Sequence, residues 1–215
     1  MFRANIQMFR EDVQNNRRKN MGRKKYFAAL AAAGMIGAMA VGSAFNSYAA
    51  DGWTKSNDHW TYIYQGKTYT GWLETSEGKY YMDLSDGHMT TGFKQIDGKW
   101  YFFRPDGTMV ASSWITDQGK FYYLYENGTM VTGWLKIGND YYYLKSSGAM
   151  ATGWWQMDNG WFYADTSGKV VIGWKQINNS WYYFGSDAKM MTGWQKINDI
   201  YYYLNTDGKM MTGWL

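Results

Sequence analysis

The sequence contains no cysteine and a single proline. Without cysteine there is no disulfide framework, no thiolate metal site and no thiol nucleophile. Export is not excluded by this; stability has to come from elsewhere. Histidine is scarce as well. His59 and His88 lie in different parts of the chain, at no ligand spacing, and are expected to be solvated loop residues rather than metal ligands. From Asp51 onward there is no helical period and little aliphatic material for a core. Basic excess is missing too: fourteen Lys/Arg stand against sixteen Asp/Glu. Binding a phosphate backbone needs a basic stripe, so no nucleic-acid partner is expected. The net charge of +4 comes from residues 1–50, where eight Lys/Arg face two Asp/Glu.

Those first fifty residues read as a leader. Arg17, Arg18, Lys19, Arg23, Lys24 and Lys25 form a positive run, and an apolar stretch follows from Tyr26 to about Phe45. Ser47 and Ala49 then supply small residues at the −3 and −1 positions of a cleavage point after Ala49. Charged start, apolar middle and small-residue end are the signature of a secretory signal peptide, expected as a helix with an extended basic region in front. Met1 and Met21 both remain open as starts. An uncleaved membrane anchor is the rival reading, since about 20 apolar residues can just span a bilayer. The stretch is rich in Ala and Gly and poor in Leu, which favours cleavage. On either reading residues 51–215 lie outside the cytoplasm, secreted or at the cell surface.

What the remainder has in abundance is aromatic rings, 20% of the whole chain, and they recur. GWKQINNSWYYFGSDAKMMT, beginning at Gly173, is followed at once by GWQKINDIYYYLNTDGKMMT. Trp53, Trp72, Phe93, Trp114, Trp134, Trp154, Trp174 and Trp194 mark eight units at steps of 19 to 21 residues. A fixed period of this length is the mark of a repeat architecture. The first unit is degenerate, because Thr61 interrupts its aromatic run after Trp60, and it reads as a terminal cap.

Each unit carries two turn signals. One separates the Gly-Trp strand from the aromatic run (Asp97-Gly98, Asn159-Gly160, Asn178-Asn179). The other precedes the methionine (Asp106-Gly107, Asn127-Gly128, Asp207-Gly208). Asn, Asp and Gly accept the positive φ of a tight hairpin turn, so each unit is expected to be a hairpin followed by a connecting turn. If unit seven turns on Asn178-Asn179, Ile177 faces Ser180, Gln176 faces Trp181 and Trp174 faces Tyr183. Side chains alternate along a strand, so Trp174, Trp181 and Tyr183 share one face and Tyr182 points to the other. From unit three on, the spacing from strand aromatic to first run aromatic is seven; in unit two, from Trp72 to Tyr80, it is eight. A bulge or distorted site is expected there.

A hairpin of about 20 residues is marginal alone. Stacking like units in line covers each exposed face. Clefts between successive units are then lined by two aromatics of one hairpin and one of the next. Three ring faces around a gap suit a bulky, poorly hydrated cation such as a quaternary ammonium ion. Sugar rings also stack on aromatic faces, so the ligand stays open between the two. The methionines Met150, Met190 and Met210 are expected to fill core rather than wall a site.

The pattern Thr-Gly-Trp, about seven residues, Trp-Tyr-Tyr, then Gly-x-Met and Thr-Gly-Trp again, resembles the cell-wall-binding repeats of Gram-positive surface proteins, the choline-binding repeats. The resemblance covers residues 52–215. It implies an all-β fold, a left-handed solenoid of stacked β-hairpins. It also implies choline sites between successive hairpins, built from the strand tryptophan, the first aromatic of the run and the second aromatic of the following run. Carried onto this sequence, the best sets are Trp154, Trp161 and Tyr182, then Trp174, Trp181 and Tyr202. The sets Phe93/Trp100/Tyr122, Trp114/Phe121/Tyr142 and Trp134/Tyr141/Phe162 depart from the pattern in one or two rings and are weaker candidates. Trp194 and Tyr201 lack a third ring, to be completed by a second molecule in a homodimer or left open. The implied function is a non-catalytic, exported module that attaches to choline-bearing wall polymers such as decorated teichoic acid. The alternative is glucan or other carbohydrate binding, because Lys196-Ile197-Asn198 is similar to repeats of glucan-binding enzymes and clostridial-type toxins. No cofactor, metal site or catalytic group is expected: Asp97, Asp106 and Asp207 are turn residues, and no nucleophile stands with a base.

Overall fold

Every aromatic run folds back on the strand before it, because residues that tolerate positive φ lie between the two. Asn178 and Asn179 have φ of 49° and 62°, Asn198 and Asp199 have 50° and 65°, and Asp97 and Gly98 have 49° and 74°. Positive φ at both central residues is the type I′ hairpin turn, whose twist matches that of the flanking strands. In this computed structural model the described residues are 51–158 and 160–213. The expected leader at residues 1–50, Asn159 and the last two residues, Trp214 and Leu215, lie outside them. The described part is all-β: eight antiparallel hairpins, from Gly52–Ser56 with His59–Tyr64 to Gly193–Ile197 with Ile200–Leu204, the first extended by the short edge strand Lys67–Thr68.

Unit seven pairs as the turn residues predict, Ile177 with Ser180, Gln176 with Trp181 and Trp174 with Tyr183. Unit two does not bulge. Trp72 pairs with Tyr81, Leu73 with Tyr80 and Glu74 with Lys79, so four residues separate Glu74 from Lys79 just as four separate Gln176 from Trp181. The eight-residue spacing arises because Lys79 stands where other units have their first aromatic. Tyr80 is therefore the second member of its run and not the first.

Successive hairpins are stitched by their backbones. The Met190 amide donates to the Trp161 carbonyl at 2.8 Å, and the neighbouring Met191 amide donates to Tyr183 of its own hairpin at 2.9 Å. Met210 does the same with Trp181 at 2.8 Å, and Met109 with Lys79 at 2.7 Å. The segment after each hairpin thus bridges its own second strand and that of the preceding unit. Within the stack, the fourth residue of each run is a pillar of core: Phe103, Leu124, Leu144, Ala164, Phe184 and Leu204 are fully buried.

The methionines take the packing role expected of them, and they explain the turn glycines. Gly148 has φ of 80°, and a Cβ there would lie 2.3 Å from Met130 Sδ; Gly208 has φ of 79° and stands 2.3 Å from Met190 Sδ by the same measure. The methionine of one unit thus lies across the turn of the next, where no side chain fits. Unit seven breaks this rule in a matched way. Ala188 takes the glycine position at φ 63°, and Val170 takes the methionine position of the unit before. The added methyl and the shorter side chain pack together in one buried cluster with Phe162 and Ala164.

One ion pair ties unit two to unit three. Lys94 Nζ bonds Asp83 Oδ2, holding the Asp83 carboxyl well below the usual carboxylate range, with the Ser85 hydroxyl and amide lowering it further. An acid with a depressed folded-state pKa contributes stability above its unfolded pKa of about 4 and loses it as pH falls toward the folded value. In urea melts, the stability gap between the native chain and Asp83→Asn is expected to stay constant at neutral pH and to shrink below about pH 4.

Candidate ligand clefts between successive hairpins

The alternation of side chains decides which rings meet. In unit six the strand Gly153–Met157 puts Trp154 on the face that looks toward unit seven, and Trp161 joins it from the second strand. Their ring centroids are 6.4 Å apart at 81°. Tyr182, on the opposite face of its own hairpin, reaches back to within 5.0 Å of Trp154 at 66°. Unit seven repeats this geometry: Trp174 lies 6.4 Å from Trp181 and 4.8 Å from Tyr202 of unit eight. The first run aromatic is only partly covered, with Trp161 43% and Trp181 41% exposed, while Tyr182 is buried. The outer tryptophan of each set is therefore open to solvent, while the inner rings are largely covered.

The weaker sets assemble on the same plan. Phe93 lies 6.4 Å from Trp100 and 4.9 Å from Tyr122. Trp114 lies 5.1 Å from Tyr142, beside the exposed Phe121. Trp134 lies 5.6 Å from Phe162, with Tyr141 on the same strand pair. That cleft has an extra wall. Trp155 stacks between Tyr143 at 5.6 Å and Phe162 at 5.4 Å, and its buried Nε1 has no hydrogen-bond partner. In unit eight Trp194 and Tyr201 are 63% and 66% exposed, so the last ring pair stands open among the described residues.

One complete set escapes a count along the sequence. Trp53 lies 6.4 Å from Trp60 at 89° and 4.9 Å from Tyr80 at 64°. This matches the geometry of the two best sets, with the same Trp, Trp and Tyr. These rings line a pocket of about 270 Å³ together with Met89, Glu77 and Asp106. The two carboxylates put negative charge in its lining. Burial pushes the Tyr80 phenol pKa up, and the Glu77 charge adds to this. Counting from the hairpin turn instead of from the first aromatic letter would have found the set. Thr61, which breaks the run of unit one, occupies the position that in later units reaches back to a preceding hairpin. No hairpin precedes it among the described residues, so no ring is needed there.

The histidines also differ from expectation. A bridge between Thr61 and His88 brings His88 across to the first hairpin, where it stacks on His59 with centroids 4.3 Å apart at 11°. His88 Nδ1 lies 2.9 Å from Asp86 Oδ2. Both are partners in a surface contact between units, and no group of three or more potential metal ligands occurs among the described residues.

Comparison with known proteins bears on what such clefts hold. A family profile described as a choline-binding repeat matches residues 90–132, 111–155, 131–172 and 171–213, and one described as a cell wall binding repeat matches residues 70–89. A search of curated sequences gives no match. Among solved structures, CbpJ from Streptococcus pneumoniae TIGR4 is 34% identical, with a TM-score of 0.69 over 75% of this chain and 58% of its own. Choline binding protein F from Streptococcus pneumoniae is 35% identical, with a TM-score of 0.68 over 76% of this chain and 58% of its own. The choline-binding domain of CbpL from Streptococcus pneumoniae is 32% identical, with a TM-score of 0.54 over 75% of this chain and 87% of that domain. The chain thus spans somewhat over half the length of the first two relatives.

Proposed function

The chain belongs to the choline-binding repeat family, and on that premise we propose that it is a non-catalytic, exported module that attaches to choline-bearing polymers of the cell wall. The observation that carries this reading is the recurring open set of three rings, two from one hairpin and one from the next. Ring faces carry negative potential, so they attract a cation whose methyl groups leave it poorly hydrated. Trp154/Trp161/Tyr182, Trp174/Trp181/Tyr202 and Trp53/Trp60/Tyr80 are the sites of choice. Glu77 and Asp106 give the last of these a charge complement that sugars would not use.

Each site is weak in this reading. A cage worth about 4 kcal/mol corresponds to a millimolar dissociation constant. Several sites engaging one polymer raise retention by effective concentration, on the order of 10² or more. Repetition is thus the mechanism of anchoring.

The test is retention on a tertiary- or quaternary-amine resin, elution with free choline, and choline titration followed by tryptophan fluorescence. Saturable quenching and elution at millimolar choline are expected. Retention on dextran that free choline leaves unchanged would replace this reading with the carbohydrate one. Hydrolysis of purified wall by the chain alone would overturn its non-catalytic part. Glu77→Gln should weaken the first cleft about threefold at low salt and leave the others unchanged, since a partly exposed charge contributes on the order of 1 kcal/mol.

A further inference from the structure

We propose that the cleft between hairpins two and three is filled by the chain's own ammonium group, Lys79, which holds it shut to external quaternary ammonium ions. This rests on the choline reading above and goes beyond it, because it separates one cleft from the rest by mechanism.

Three observations place Lys79 in a ring's position. Its register partner is Glu74, as Gln176 is the partner of Trp181. Its carbonyl accepts the Met109 amide at 2.7 Å, as those of Trp161 and Trp181 accept Met190 and Met210. The other two walls of the cleft are present and normally spaced, with Trp72 and Tyr101 centroids 5.0 Å apart at 72°. The fold has built a cleft with two of its three rings and put a lysine in the third place.

That lysine does not point away. Lys79 Nζ lies 4.7 Å from the Trp72 ring centroid, within the range where a ring quadrupole holds a cation. Trp72 is the strand tryptophan of this cleft, the ring against which an external cation would sit. Lys55, Lys136 and Lys196 also approach rings, at 5.9, 5.0 and 5.8 Å. Each of them stands opposite the first run aromatic of its own hairpin and leaves that ring in place. In the seven other units the position opposite that residue holds lysine, glutamine or threonine; in unit two it holds Glu74. In unit two the lysine stands on the second strand instead, and its register partner on the first strand is a carboxylate, Glu74. A choline arriving here would meet a ring face already occupied and a like charge next to it.

The experiment uses the full chain labelled with 5-fluorotryptophan and choline chloride as the probe, read by ¹⁹F NMR, with Trp72 assigned from Trp72→Phe. In the native chain the Trp154 and Trp174 resonances should move on titration. The Trp72 resonance should stay fixed at choline about tenfold above their midpoint. In Lys79→Gln, which removes the charge, and in Lys79→Trp, which restores the ring, Trp72 should move, in the second with a midpoint near that of Trp174. Lys79→Arg should keep it silent. Movement of Trp72 in the native chain alongside Trp174, or silence in both Lys79→Gln and Lys79→Trp while Trp174 responds, would overturn the proposal and leave the choline reading standing. Silence of every tryptophan would overturn the choline reading and this inference with it.

Discussion

Gly148→Ala should destabilise the stack by about 3 kcal/mol, and Met130→Val should recover most of that loss when added to it. The cost has two parts. A residue with a Cβ in the left-handed region is disfavoured by about 1 kcal/mol relative to glycine. The methyl would also stand 2.3 Å from Met130 Sδ, and overpacking of a filled site costs typically 1–3 kcal/mol. The chain has already made the compensating exchange two units further on, where Ala188 and Val170 share one buried cluster. Met130→Val alone leaves a gap and should cost about 1 kcal/mol. A double-mutant cycle in urea should therefore give a favourable coupling above about 1 kcal/mol. Additive costs would mean that the glycine is required for its backbone alone and that the methionine contact is incidental.

The largest effect on ligand attachment is expected from Trp161→Ala combined with Trp181→Ala. Each side chain is two-fifths exposed and forms the outer wall of its cleft, so its loss removes a cation–π contact without opening the core. A cation–π contact at such a half-covered ring is worth about 1–2 kcal/mol, hence a roughly 5- to 30-fold weaker site for each single variant. Resin retention of the pair should fall by much more than the sum of the single losses, because attachment at several sites multiplies. Far-UV circular dichroism and the urea midpoint should stay close to native. Trp174→Ala is the contrasting case. Trp174 also packs on Tyr183 at 5.1 Å and Tyr202 at 4.8 Å, so it should lose both ligand and about 3 kcal/mol of stability. If Trp161→Ala with Trp181→Ala elutes from the resin like the native chain, the open rings are not the binding surface.

The hairpin register was legible before any coordinates because it depends on turn residues alone, as Asn178 and Asn179 show. The sorting of rings between one cleft and the next followed from strand alternation, which holds in these hairpins because their ladders pair without bulges. Where reading by letters failed, it failed at unit two. The first aromatic letter there is Tyr80, but the first position of the run belongs to Lys79. That one misalignment hid the Trp53/Trp60/Tyr80 set, suggested a bulge that does not form, and concealed the lysine in the neighbouring cleft. The pairing of Ala188 with Val170 was hidden for another reason. It joins residues of different units, and only the stack makes them neighbours. The contact of His59 with His88 is of the same kind.

The amide of each connecting segment that bonds back to the preceding hairpin has a consequence for how such chains change length. Every joint presents the same donor on one side and the same acceptor on the other, whichever side chains surround it. A whole module inserted or removed by tandem duplication or deletion leaves all remaining joints complete, so the reach of the chain can be altered in steps of one cleft. A break within a module would instead strand a donor with nothing to receive it.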